Sequence, residues 1–546
     1  MSIPQADPNP HTTPGAGEPA APPSSGSDAP APPEHIDKRG WLALACIALG
    51  VSIVIMDATI VNVALPVVIK DLGLTAADAQ WINAAYSLVF AALLLTLGRL
   101  GDLRGRRRLF LSGMILFMAA SAVAGASTTA PMLIGSRLAQ GLGAAMIVPS
   151  TLSTLNAMFS GRARTIAFAV WGSAIGGMAA IGPLIGGWLA ADASWRWAFW
   201  LNIPIGLLIV IGIIRAVPET RDTATAPGGD PVGVALSALG MGAIVFALIE
   251  GQWFGWWRQD NGSISPVALA LTAGIVLIVA FIAYERRRAA AGRPALIDLR
   301  LFTLRSFRSG VIAAMIVALG EFGLLFTLPL LLQGSLGYSA LGTGGVIVAL
   351  ALGTFLISGM LPRLSTRMSR RAIVQTGLAL EALAVAALAL TVSTTIPTWL
   401  ICALLFLYGI GVGMATAQLT ALLLSDVPPR QSGQASGIQS TIRQLGSALG
   451  VAALGGLLIN QLTNATQHNL AALQLPATTT DALTTAVSQS AGTAIAELQT
   501  SPERHDIAQA ATNAMITASQ TTLWIAAATL CVGLLLTLSL PRTPTP

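Results

Sequence analysis

Long apolar runs, separated by short polar or glycine-rich breaks, recur from residue 41 almost to the end of the chain. They fall near 41–69, 80–100, 108–127, 131–155, 165–190 and 199–217, then near 233–250 and 266–284. Six more lie near 309–333, 341–362, 372–392, 397–424, 435–459 and 520–540. A helix of about 20 apolar residues crosses a hydrocarbon core about 30 Å thick. The pattern therefore predicts fourteen spans in an all-α integral membrane protein. Residues 1–38 carry no such run and are rich in Pro, Ala, Ser and Gly, which predicts a disordered tail rather than a signal peptide. The first span then serves as an uncleaved insertion signal.

Composition agrees with the pattern. The 546 residues are 54% hydrophobic and 10% charged, with a mean hydropathy of +0.72. Soluble domains carry about 25% charged residues. The net charge of +6 would suit nucleic acid, but the positions of the basic residues point elsewhere. With the N-terminus inside, 24 of the 30 Lys and Arg fall in cytoplasmic segments and 4 outside; Arg137 and Arg443 lie within spans. Arg104, Arg106, Arg107 and Arg108 form one inner cluster, and Arg286, Arg287 and Arg288 another. This is the positive-inside asymmetry of a membrane chain, and it places both termini in the cytoplasm. Cys46, Cys402 and Cys531 lie far apart in apolar runs, without disulfide or metal spacing.

The chain repeats itself. Gly98–Arg106 after the second span is echoed by Gly359–Arg363 and the arginines after the tenth. Gly141-Leu142-Gly143 in the fourth span is echoed by Gly409-Ile410-Gly411 in the twelfth. Two related six-helix halves are expected, at 39–220 and 309–541, with two inserted helices at 221–290. A cytoplasmic loop or amphipathic helix is expected at 291–308, with Pro294–Phe307 alternating apolar and basic residues. The second half contains a long outer loop, 460–518, in which Thr479–Leu498 has helical character. Paired halves around a midplane site are the layout of many secondary transporters.

The candidate chemistry is intramembrane charge. Asp57 sits in the first run, and an ionised carboxylate in hydrocarbon belongs against protein or in a watery cavity. A span-end acid reaching the headgroups is the competing explanation. Arg137 and Gln140 share a face of the fourth span, at i and i+3. Arg137 snorkelling outward is the alternative there. Glu321 lies near the middle of the ninth span and Glu381 within the eleventh; Glu321 is the stronger cavity candidate. Glu250, beside Gln252 and Trp253, is expected to sit at the interface. Gly98, Asp102, Gly105 and Arg106 form a tight basic turn, and Gly182, Pro183, Gly186 and Gly187 give the fifth span a kinked, small-surfaced face. The four histidines, His11, His35, His468 and His505, fall outside the spans. With no nucleophile–base constellation, metal spacing or Gly-x-x-x-x-Gly-Lys signature, an enzyme or an ATP-driven pump is disfavoured.

Together these stretches resemble the major facilitator superfamily, and most closely its fourteen-span drug:proton antiporters, over about residues 40–540. Asp57–Pro66 is similar to the first-span motif of that group, and Gly98–Arg108 to the loop after the second span. Arg137–Gly141 is similar to the fourth-span motif tied to proton coupling, and Gly182–Gly187 to the fifth-span antiporter motif. Trp195–Pro204, Ser432–Gly437 and Arg443–Gly446 are also family-like. The fifth-span pattern departs at Met178, where a glycine is usual.

The resemblance implies a proton-coupled antiporter of the cell membrane, without cofactor or metal, that exports amphipathic, cationic compounds by alternating access. Small molecules, protons and membrane lipids are its implied partners. Proton coupling is expected at Asp57, Arg137 and Glu321, and substrate contact at Asp57, Glu321, Gln140 and Asn62. The glycine-rich turn and the fifth-span motif are expected to act as the conformational gate. Export of an endogenous product such as an antibiotic, peptide or siderophore is the alternative; a membrane sensor or enzyme is the more distant one.

Overall fold

The structure, a computed structural model, describes residues 37–221, 230–251, 254–258, 263–293, 296–297, 299–423, 425–427, 432–500, 504–538 and 540. Among them, the regular elements are helices, apart from one β-bridge between Arg258 and Ile264. The tail at 1–36, Trp253 and Pro294 lie outside the described residues.

The first half comprises α1 (Lys38–Leu72), α2 (Ala76–Arg104), α3 (Arg106–Gly125), α4 (Ala130–Met158) and α5 (Gly161–Trp188). Its sixth span is broken into α6 (Trp197–Trp200) and α7 (Asn202–Ala216). The inserted pair is α8 (Pro231–Glu250) and α9 (Pro266–Ala290). The second half comprises α10 (Arg305–Gly334), α11 (Ala340–Leu364), α12 (Arg370–Thr391), α13 (Thr398–Leu423) and α14 (Ser432–Ala471). It ends with α15 (Ala477–Gln489), α16 (Ala494–Gln499) and α17 (His505–Thr537). Among the described residues, 13 helices are long and apolar enough to cross a membrane. The remaining expected span coincides with α5, part of whose side chains lie outside the description.

Local chemistry sets the ends. Asp37 caps α1 by accepting from Gly40 N at 2.7 Å, and Gly73 closes it in the left-handed region at φ +59°. Thr75 and Asp78 form a capping box that starts α2 only three residues later. The chain thus turns back at once, and α1 and α2 run antiparallel.

The two halves are built alike. Gly143 of α4 lies where a Cβ would meet Gly113 O of α3 at 2.9 Å; Gly411 of α13 stands likewise 2.6 Å from Gly377 O of α12. Gly141 packs against the backbone of Tyr86 in α2, and Gly409 against that of Leu350 in α11. Small residues let these helices approach to backbone contact. The inserted α8 and α9 pack on each other, and α8 packs against α2 and α14. Trp81 Nε1 donates to Glu250 Oε1 at 3.0 Å, so Glu250 ties α8 to α2. At the opposite end of the pair, Asp230 caps α8 through Gly233 N at 2.9 Å, and Glu285 accepts from Ile297 N at 3.1 Å.

The halves pack on each other mainly through α2 with α14 and α5 with α11, and they also meet where α1 and α10 end. Gln333 Nε2 donates to Val63 O at 2.9 Å, and Lys70 pairs with Glu497 at 3.2 Å. A Cβ at Gly187 would lie 2.5 Å from Ala340 O, and Pro183 O lies against Gly344. Nearer mid-span, Ser87 of α2 meets Ser447 of α14 at 3.4 Å.

One stretch differs from expectation. Residues 460–518 are mostly helical, well beyond the Thr479–Leu498 segment that the pattern offered, rather than a long loop. α14 spans 40 residues, about 60 Å at 1.5 Å per residue, twice a bilayer core. It projects beyond the membrane with the start of α17, and α15 and α16 fold between them, burying Val487, Ile495 and Leu498. Abundant Ala, Thr and Gln hid this because they leave the apolar face narrow. Of the loop or amphipathic helix expected at 291–308, the described residues form a loop with a 3-10 turn, Leu299–Thr303, and α10 begins directly at Arg305. Leu301 of that turn packs with Phe307, so the apolar positions serve a local cluster rather than a surface.

Candidate functional site

Asp57 is fully buried on α1, inside the first half. Arg137 of α4 donates through Nη1 to Asp57 Oδ2 and, at 2.9 Å, to Gln140 Oε1. Its Nε reaches the backbone carbonyl of Ile82 at 3.1 Å, and its guanidinium lies 4.3 Å from the Tyr86 ring centroid. Gln140 Nε2 donates to Asp57 Oδ1 at 2.9 Å and to Ser121 Oγ at 2.8 Å. The i, i+3 spacing of Arg137 and Gln140 is what aims both at one carboxylate. Arg137 is 1% exposed, so it does not snorkel.

Sequence reasoning missed three members of this cluster. Asn202 Nδ2 donates to Asp57 Oδ1 at 2.9 Å and reaches Ser121 Oγ at 3.1 Å. Tyr86 supplies an aromatic face to the arginine, an arrangement that favours a cation. Asn202 lies in the family-like stretch Trp195–Pro204, which was its only signal. Ser121 and Tyr86 had none. Asn62, half-buried five residues beyond Asp57, makes no hydrogen bond to the cluster.

The arrangement has a chemical consequence. Asp57 Oδ1 and Oδ2 together accept three side-chain donors, from helices α1's neighbours α4 and α7. Such charge-assisted bonds are strong, and removing one partner leaves a buried charge. A proton placed on Asp57 would remove the charge that holds Arg137.

Glu321 of α10 occupies the other half. Its Oε2 lies 3.6 Å from Arg443 Nη2 of α14, with side chains 12% and 39% exposed. This pair is longer and more open than the Asp57–Arg137 pair. Glu381 of α12 is fully buried, and neither carboxylate oxygen has a hydrogen-bond partner among the described residues.

The gate residues stay within one half, except at one end. Asp102 Oδ1 accepts from Arg106 Nε at 2.8 Å, an i, i+4 pair beside Gly105, rather than a link across the halves. Gly105 has φ +122°, a backbone few other residues adopt. A residue the sequence did not announce completes the turn: Glu219 accepts from Arg107 N at 3.1 Å and Arg108 N at 3.2 Å, capping α3. Gly98 packs against Pro149 of α4, where a Cβ added at the glycine would meet the proline Cβ at 3.2 Å. Of the fifth-span motif, Gly182 and Gly186 face Thr59 and Ile60 of α1, while Pro183 and Gly187 face α11 of the other half. Trp195 and Arg196 both donate to Asp71, at 2.8 and 2.7 Å, pinning the far end of α1.

Comparison with known proteins places the chain in a family. The profile of the Major Facilitator Superfamily matches residues 47–234 and 229–451. The probable actinorhodin transporter of Streptomyces coelicolor is 33% identical over 458 residues, covering 81% of this chain and 76% of its own. The multidrug efflux pump LfrA of Mycolicibacterium smegmatis is 33% identical over 423 residues, covering 76% and 80%. A bacterial homolog of the human lysosomal transporter Spinster, in an inward-facing, unoccupied conformation, shares the fold at a TM-score of 0.61 and 18% identity. That match covers 93% of this chain and 99% of the other. The chain belongs to the Major Facilitator Superfamily, as a multi-pass membrane transporter and not an enzyme.

Proposed function

We propose that this protein exports amphipathic, cationic compounds in exchange for protons, with both termini in the cytoplasm. The observation that carries the reading is the buried Asp57–Arg137 pair, held between α1 and α4 by Gln140 and Asn202. The efflux and antibiotic-transport names of its relatives support the direction of transport. The arginine asymmetry supports the orientation.

The proposed cycle uses two carboxylates differently. Asp57, closed to solvent, binds the coupling proton; protonation releases Arg137 and changes which packing of the first half is favoured. A ligand shifts such an equilibrium only through differential affinity for the two states. Glu321, with its looser and partly exposed arginine, meets the cationic substrate, with Gln140 and Asn62 contributing after rearrangement. Contacts between the halves at Gly187, Pro183 and Lys70 belong to the outer gate, and the Gly98–Arg106 turn to the inner one.

Inside-out vesicles provide the test. Uptake of tetraphenylphosphonium should require an imposed pH gradient and should disappear with Asp57→Asn, while the protein remains in the membrane. Uptake that ignores the gradient would refute proton coupling. The actinorhodin transporter among the relatives favours one second reading, export of an endogenous product. A producer strain lacking the gene would then retain that compound internally, without becoming sensitive to added drugs.

A further inference from the structure

Superimposing the two halves by their helix contacts exposes an anomaly. The same spacing separates Asp57 from Glu321, Gly113 from Gly377 and Phe117 from Glu381. Contacts agree with the register. In the first half, Gly143 faces Gly113 O and the Phe117 Cβ and N; in the second, Gly411 faces Gly377 O and the Glu381 Cγ and N. Glu381 therefore stands in α12 where Phe117, a fully buried packing residue, stands in α3. By the same register of α4 and α13, Leu405 replaces Arg137 and Tyr408 replaces Gln140. The second half has gained an acid at the position of Phe117 and lacks the arginine that pairs with Asp57 in the first half.

Both oxygens of Glu381 and the hydroxyl of Tyr408 lack hydrogen-bond partners among the described residues, and both side chains are buried. The ionisable groups whose charges act on Glu381 are Glu321 of α10 and Arg443 of α14, with Tyr408 of α13 also within its field. α17, which also packs on α12, brings no ionisable group there among the described residues. An ionised carboxylate without a donor, at zero exposure, is costly; a proton on it removes the charge. An apolar residue would fill the site at less cost, as Phe117 does.

We infer that Glu381 is a second proton-binding group, separate from Asp57, that takes up and releases a proton during transport beside the Glu321–Arg443 pair. This rests on the proton-antiport reading and extends it. Only an O–H bond is broken and remade: as Glu321 and Arg443 separate to admit a cation, water entering with it takes the proton from Glu381, and water returns a proton to the carboxylate when the cation departs. Each half then carries one proton site.

Protein reconstituted in vesicles, with tetraphenylphosphonium as the probe, tests the role. The transmembrane ratio of probe at which net flux reverses, at a fixed pH gradient and with the membrane potential held at zero, gives the protons exchanged per cation. Glu381→Gln is expected to lower that number by one while retaining probe binding; an unchanged number overturns the inference. A second measurement uses the native chain and needs no variant. Dicyclohexylcarbodiimide is apolar and reacts with protonated carboxyl groups, so mass spectrometry should find its adduct on Glu381. Adducts elsewhere with none on Glu381 overturn the inference as well. A wild-type flux indifferent to the pH gradient would overturn the proton-antiport reading and this inference with it. A proton-driven wild type whose count survives Glu381→Gln overturns this inference alone.

Discussion

Asn202 Nδ2 lies 2.9 Å from Asp57 Oδ1, so the sixth span helps hold the carboxylate of the first. The bond crosses 145 residues of sequence and places the buried acid between three helices rather than two. A hydrogen bond to a charged group is worth about 1.5–3 kcal/mol. Asn202→Leu should therefore lower thermal stability in detergent by roughly that amount and impair proton-driven uptake. Asn202→Asp, which sets a second acid beside Asp57, should do worse in both assays. Equal stability in Asn202→Leu and wild type would show that the contact contributes little.

The Asp57–Arg137 pair makes a sharper prediction. Removing one partner of a buried pair costs about 3–5 kcal/mol because the other charge is stranded. Arg137→Gln alone should destabilise strongly, and adding Asp57→Asn should recover much of the loss. Transport should not recover, since the double variant lacks the proton site. Arg137→Lys keeps the charge but loses the guanidinium fork that reaches Asp57, Gln140 and Ile82 together, so partial activity is expected. A double variant no more stable than Arg137→Gln in a thermal unfolding series would contradict this account.

Much of this site was legible in the chain, for physical reasons. Charge inside an apolar run is conspicuous, so Asp57, Arg137 and Glu321 stood out at once. The i, i+3 rule then joined Gln140 to Arg137. Ser121, Asn202 and Tyr86 were not legible, because small polar and aromatic residues are common in spans and only tertiary packing selects them. Glu219 was hidden for another reason: an acid in a polar loop is unremarkable until the helix it caps is known. The helical layer at 460–518 was legible only at Thr479–Leu498, because its buried face rests largely on alanines and threonines, whose periodic signal is weak.

Glu219 and Gly105 lead to a prediction about the inner turn. A Cβ at Gly105 would lie 2.6 Å from Glu219 Oε1, and the backbone there stands at φ +122°. Gly105→Ala should thus cost on the order of 1–3 kcal/mol from strain alone and displace the cap of α3. Asp102→Asn breaks only the local pair with Arg106 and should alter turnover more than probe affinity. A large loss of equilibrium binding with normal turnover would remove Asp102 from the gate.

The last prediction concerns how charge selects substrate. Glu321 and Arg443 stand 3.6 Å apart, and Arg443 keeps 39% of its side chain exposed. A partly solvated pair at that separation is weaker than a buried bidentate one. An incoming cation can therefore replace the arginine as the partner of Glu321, whereas a neutral compound cannot. Glu321→Gln removes the attraction but also frees Arg443, whose unpaired charge then repels cations. Uptake of tetraphenylphosphonium should fall well below that of a neutral dye of similar size in this variant. Arg443→Gln acts in the opposite direction on binding, because it leaves the carboxylate unpaired for the cation, so probe affinity should rise by several-fold. Release should then slow, and turnover with it. If both variants change cationic and neutral transport equally, the pair is structural, and the cation must be recognised elsewhere in the cavity.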